Sequence, residues 1–165
     1  MPARDLVLFP DPRLSLPAAP VDDFGPELEA LAGDVRDTLL AVSAIGLTAP
    51  HLGILRRVVV IRMSPDADLR VYVNPAILSA SPETAVHEEG SVSMPGVRET
   101  IARPARIRFG YRDLAGSAHE EEAEGFAAAV MLHEIDQLDG IFWIDRLSRL
   151  KRDRLVKRYG KSRPG

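Results

Sequence analysis

The 165-residue chain predicts a single α+β domain: short, mostly antiparallel strands around one buried helix, with a further helix near each end. Three observations carry this. A run from Phe126 to Leu138 is apolar nearly all round in its first two turns, so it is a helix that belongs in the interior, and Gly140 closes it. Apolar residues recur at helical spacing at Leu28, Leu31, Val35, Leu39 and Val42. Between those two regions lie short β-branched and alternating runs.

Taken in order, Met1 to Pro20 is an extended, proline-rich lead-in that lacks the apolar core of a signal peptide. Pro26 near the first turn and Gly46 beyond the last bracket a helix over about 26 to 43. Val58 to Ile61, Val71 to Val73 and Ala76 to Leu78 read as three strands, the last two separated by a turn at Asn74-Pro75. Ile107, Phe109 and Tyr111 alternate with arginines, which predicts a half-exposed strand turning through Asp113 to Ser117 into a partner near 118 to 123. A last helix runs from an N-cap at Ser148 to Tyr159, ahead of Gly160.

Composition narrows the function classes. A hydrophobic content of 45% suits one sizeable core, and a formal charge of −3 argues against DNA binding. No stretch has the length of a membrane span, so a cytoplasmic location with no membrane partner is expected. The absence of cysteine excludes disulfides, thiolate ligands and a cysteine nucleophile. Two charge runs read first as solvated surface: the acidic Glu120, Glu121, Glu122 and Glu124, and the basic stretch from Arg146 to Arg163, whose sharper reading is a docking element for an RNA-rich or acidic partner.

The chemistry-bearing segment is His133-Glu134-Ile135-Asp136-Gln137. It has the form of the H-E-x-x-H metallohydrolase helix, in which two histidines four apart share a face and grip a metal, with the last histidine replaced by glutamine. Two other segments accompany it, Gly46-Leu47-Thr48-Ala49-Pro50-His51 and Glu89-Gly90-Ser91-Val92-Ser93. In that order and at those separations they resemble the three motifs of the peptide deformylase family, G-x-G-L-A-A-P-Q, E-G-C-L-S and H-E-x-D-H. The resemblance covers nearly the whole chain, including Phe9-Pro10-Asp11-Pro12-Arg13-Leu14 and Val73-Asn74-Pro75.

That resemblance implies a peptide deformylase-like fold built around a buried H-E-x-x-Q helix. It also implies a family reaction, hydrolytic removal of the formyl group from the N-terminal methionine of nascent polypeptides by a divalent iron or zinc ion. The family's ligand positions fall on Ser91, His133 and Gln137, of which only His133 keeps the ligand type. Its general acid/base falls on Glu134, its oxyanion donors on His51 and the Val92 N–H, its substrate-lining backbone on Gly46, and a position near the bound peptide on Arg98. The first glycine of the first motif is Ala44 here.

A serine hydroxyl and a carboxamide are neutral oxygen donors that zinc and ferrous iron do not normally select. The expectation is therefore no cofactor, or a divalent metal bound weakly at His133, with deformylation lost or strongly impaired. What remains is a hydrolase by type whose pocket binds a peptide N-terminus with a methionine-like side chain. Two alternatives stay open: an active deformylase or amide hydrolase with an altered metal centre, with His51 as a replacement ligand, and a ribosome-associated accessory protein docking through its basic terminal helix. A Ser91–His133 nucleophilic pair would also need an orienting carboxylate and an oxyanion hole.

Overall fold

The computed structural model describes residues 3–162. Pro26–Val42 forms helix α1, opened by proline in its first turn and closed by Ser43 in the left-handed region at φ 55°. Strands β1 (Gly46–Thr48), β2 (Val58–Ile61), β3 (Arg70–Ala80), β6 (Arg106–Arg112) and β7 (Ala118–Glu124) form one antiparallel sheet in the order β1-β2-β3-β6-β7. Strands β4 (Thr84–Ser91) and β5 (Met94–Pro104) form a separate antiparallel hairpin. Helix α2 spans Gly125–Leu138 and helix α3 spans Arg149–Ser162, giving the α+β class expected from the pattern.

Strand β6 keeps its hydrophobic side inward by alternation: Ile107, Phe109 and Tyr111 are buried while Arg106, Arg108 and Arg112 are exposed. Met131, Ile135 and Leu138 of α2 pack on this face together with Val59, Ile61 and Tyr72. Leu28, Val35 and Leu39 of α1 pack against Leu47, Val58, Val60 and Val73. Leu155 and Tyr159 of α3 close a third cluster with Val7, Leu14, Phe142 and Trp143, below the β4–β5 hairpin.

Three expectations need correcting. Asn74-Pro75 is a bulge inside one continuous strand, β3, because Asn74 takes the left-handed region at φ 51° and the register with β6 shifts between Val73 and Ala76. Its side chain holds the lead-in by a reciprocal pair of hydrogen bonds: Val21 N–H donates to Asn74 Oδ1 at 2.8 Å, and Asn74 Nδ2 donates to the Val21 carbonyl at 2.7 Å. Helix α3 runs through Gly160 to Ser162, since this glycine sits on an exposed face where no contact opposes continuation. The hairpin β4–β5 stands where no strand was read. Arg163, at the end of the basic run, lies outside the described residues.

The acidic run is β7, and two of its four glutamates are paired across the sheet: Arg108 with Glu120, and Arg70 with Glu121. Among the described residues, no helix is long and apolar enough to cross a membrane.

Candidate active site and its relatives

A cavity of about 550 Å³ opens between α1, the β4–β5 hairpin and α2. Gly46, His51, Ser91, Val92, Arg98, His133 and Glu134 all line it, so seven of the eight residues singled out in the sequence share one wall-to-wall site. Gln137 is the exception. It is buried at 2% exposure, is absent from the cavity wall, and donates its Nε2–H to the Leu14 carbonyl at 2.8 Å.

Each side chain is placed by local structure. His51 sits in a 3-10 turn, Ala49–Leu52, which has proline in its first turn and Gly53 at φ 81° as its exit. The Thr48 N–H donates to His51 Nδ1 at 3.0 Å, and the Thr48 hydroxyl lies 2.8 Å from the same nitrogen. Ser91 ends β4 at the hairpin turn, where its Oγ accepts the Ser93 N–H at 3.0 Å. His133 and Glu134 are consecutive on α2. A β-carbon on Gly46 would lie 2.5 Å from Glu134 Oε2, so glycine at this position is what lets the carboxylate pass beneath β1.

Behind the cavity wall runs a chain of alternating charge, buried from Asp136 inward and ending outside at the exposed Arg146. Arg146 donates to both oxygens of Asp136 at 2.9 and 2.8 Å, and Arg103 Nη1 donates to Asp136 Oδ2 at 2.9 Å. Arg103 also grips Glu89 with two bonds, at 2.6 and 2.9 Å, and His133 Nδ1 meets Glu89 Oε1 at 2.8 Å. Bidentate pairing of this kind is what makes a carboxylate tolerable at 8% exposure. Burial alone would raise the Glu89 pKa, but the bonds from His133 and Arg103 outweigh it and hold the group at about 2. Because an ionised carboxylate only accepts, His133 Nδ1 is the protonated nitrogen and Nε2 is left for the cavity.

The other titratable groups respond mainly to burial. Burial would lower the pKa of His133, but the carboxylates of Glu134 and Glu89 overcome that and raise it. Burial pushes Glu134 up, while His51 falls to about 3 through burial and then the charge of His133. Among the described residues nothing hydrogen-bonds the buried Glu134 Oε1, so a group lodged in the cavity has an unanswered carboxyl oxygen to meet. Arg98, by contrast, is 63% exposed at the rim and donates to Glu88 at 2.8 Å.

Sequence reasoning did not find Arg103, Asp136 and Arg146 as a unit. The available signal was that Glu89 and Asp136 stand inside motifs destined for the interior and must be matched by cations. Which arginines do so is fixed by contacts 14 and 33 residues away along the chain. Among the described residues there is no cluster of three or more His, Cys, Asp or Glu side chains placed to hold a metal. Nor does a hydrogen bond join Ser91 to His133 among them.

Comparison with known proteins agrees with this architecture. Residues 3–153 match the model of the polypeptide deformylase family. A peptide deformylase-like protein of Bradyrhizobium diazoefficiens is 53% identical over 165 residues, spanning 100% of this chain and 97% of that one. A peptide deformylase of Nitrobacter hamburgensis is 38% identical over 169 residues, spanning 98% and 97%. The crystal structure of peptide deformylase from Ehrlichia chaffeensis superposes with a TM-score of 0.91 at 30% identity, covering 96% of each chain. By its motifs, its fold and these relatives, the chain belongs to the polypeptide deformylase family.

Proposed function

We propose that this family member has kept a peptide-binding pocket and given up metal-dependent deformylation, so that it binds the N-terminal end of a polypeptide through an apolar, methionine-like side chain. The observation that carries this is the hydrogen bond from Gln137 to Leu14, which commits the third ligand position to the fold and leaves it outside the cavity. Ser91 offers a neutral hydroxyl, and His133 a single imidazole nitrogen. Such a donor set does not fit zinc or ferrous iron, which select thiolates and imidazoles in numbers this site lacks. Lewis-acid activation of water contributes several kcal/mol to the family's reaction, and each 1.4 kcal/mol is about tenfold in rate.

The pocket itself supports binding. Its walls include Val42, Ile45, Phe126 and Val130 beside the polar groups, the mixture typical of small-ligand and side-chain sites. Purified protein incubated with a formyl-methionyl peptide and ferrous, cobalt or zinc ions is expected to release no formate above buffer and to carry no stoichiometric metal. A titration with the same peptide is expected to show saturable binding. Stoichiometric metal together with robust turnover would overturn the reading in favour of an amide hydrolase with an altered centre, the alternative that the partnerless oxygen of Glu134 favours.

A ribosomal partner is proposed for α3, and a cytoplasmic location with it. Arg149, Lys151, Arg154, Lys157, Arg158 and Lys161 are exposed on this helix, which gives it the charge to meet RNA phosphates.

A further inference from the structure

Strand β4 turns Ala85, His87 and Glu89 inward while Thr84, Val86 and Glu88 stay exposed. The inward row faces α2. Glu89 meets His133, and His87 meets Phe126 about two turns earlier on the same helix, with ring centroids 5.8 Å apart and planes inclined at 58°. Phe126 also lines the cavity, so the half-buried His87 ring stands directly behind one of its apolar walls. His87 Nδ1 is shut off from solvent, and among the described residues nothing hydrogen-bonds it. A buried nitrogen left unanswered is costly, and a ligand group that reaches it removes the cost. The nitrogen is within reach of one, because Phe126 is 44% exposed in the first turn of α2 and an exposed side chain changes rotamer within nanoseconds. Ala129, one turn further along the same wall, carries only a methyl group.

We infer that His87 is a specificity-determining residue: with Phe126 swung aside, its Nδ1 answers the tip of the ligand's first side chain, so the pocket prefers a methionine-long stem ending in a neutral oxygen to a wholly apolar one. The inference rests on the proposed peptide-binding reading and specifies the tip of the side chain that the pocket takes. Glutamine and methionine sulfoxide have this form, since both carry an oxygen on the δ atom. An imidazole nitrogen donates or accepts according to its tautomer, and no hydrogen bond of the fold fixes that role at His87 Nδ1, so the ring can present Nδ1–H to the oxygen. A site that hydrogen-bonds a polar group of its ligand discriminates against the analogue without it, because the buried partner is otherwise left unpaired. A charged tip would have to shed its hydration against the aromatic ring.

Calorimetric titration tests this with N-formyl peptides of the form Xaa-Ala-Ser that begin with norleucine, methionine, glutamine or methionine sulfoxide. The glutamine and sulfoxide peptides are expected to bind about fivefold more tightly than the norleucine peptide. His87→Leu is expected to abolish that margin without weakening norleucine, and His87→Asn, whose amide nitrogen stands near the place of Nδ1, to keep part of it. Norleucine binding as tightly as the two polar side chains, or a margin that survives His87→Leu, overturns the inference while the peptide-binding reading stands. If none of the four peptides binds, both fall. Should His87→Leu fail to fold, Phe126→Ala carries the test: with Nδ1 uncovered the margin is expected to widen, and a margin unchanged or narrowed overturns the inference.

Discussion

Glu134 reaches its place in the cavity wall by passing under Gly46, with its Oε2 2.5 Å and its Cδ 3.0 Å from the point where a β-carbon would stand. The helix that carries Glu134 and the strand that carries Gly46 are thus fitted to each other through one missing side chain. Gly46→Ala is expected to displace the carboxylate or the strand. Where the neighbour cannot give way, overfilling of this kind typically costs about 1 to 3 kcal/mol. Thermal unfolding should record the loss, and peptide titration should show weaker binding in parallel. An unchanged melting temperature with unchanged affinity would mean that the carboxylate is not confined there.

Reinstating the family's ligands tests the proposed loss of the metal site. Ser91→Cys combined with Gln137→His is expected to restore zinc or iron binding and measurable deformylation, whereas each change alone is not. The same Gln137→His is expected to lower the melting temperature of the metal-free protein, because a buried carbonyl at Leu14 loses its donor. An unmet polar group of that sort costs about 1 to 3 kcal/mol. Failure of the double variant to take up metal would show that the pocket has diverged beyond its ligands.

The charged chain behind the cavity predicts a pH dependence with two opposed arms. Glu89 has a depressed pKa, from 4.5 to about 2, so its contribution to stability is complete above the ordinary carboxylate range and is lost as pH falls through that interval. His133 is raised, so its contribution is complete below an ordinary imidazole value of about 6.5 and is lost as pH rises through the elevated one. Melting temperatures of Glu89→Gln measured across pH should show a flatter acid arm than wild type. Identical slopes would sink the assignment. Arg103→Met, which takes the bidentate partner from Glu89 and leaves it to His133 while Asp136 keeps Arg146, is expected to destabilise the protein at neutral pH by at most roughly 3 to 5 kcal/mol.

Helix α3 cannot be tested by deletion, since Leu155 and Tyr159 are buried at 1% and 3% against the core. Charge reversal at the exposed Arg154, Lys157 and Lys161 avoids this. The triple variant is expected to unfold near the wild-type temperature and to lose salt-sensitive binding to ribosomes in sedimentation assays. Wild-type protein that does not co-sediment at low salt would remove this partner.

What could be read from the sequence was what depends on short-range pattern. Helices α1 and α2 announced themselves by spacing and by the proline and glycine at their ends, and β6 by alternating arginine with apolar residues. The polar part of the cavity wall, His51, Ser91, His133 and Glu134, came from motif positions, whereas its apolar part, with Val42, Phe126 and Val130, did not. The β4–β5 hairpin did not show, because its sequence, Thr-Ala-Val-His-Glu-Glu-Gly-Ser and onward, mixes charge and glycine into a pairing that only register reveals. Asn74-Pro75 has turn chemistry yet serves as a bulge, since Asn74 satisfies Val21 from 53 residues away. The Gln137 amide was expected at a metal-ligand position, and its partner across 123 residues is a contact that no local pattern encodes.

That distant contact makes the path back asymmetric. A glutamine that merely occupied a former ligand position could revert to histidine at no loss to the folded state. On the proposed reading, because this one fastens the N-terminal turn to the central helix, histidine at this position alone would give a less stable protein with neither the strap nor a working ion site, and selection for folding alone would hold the glutamine in place as a ratchet.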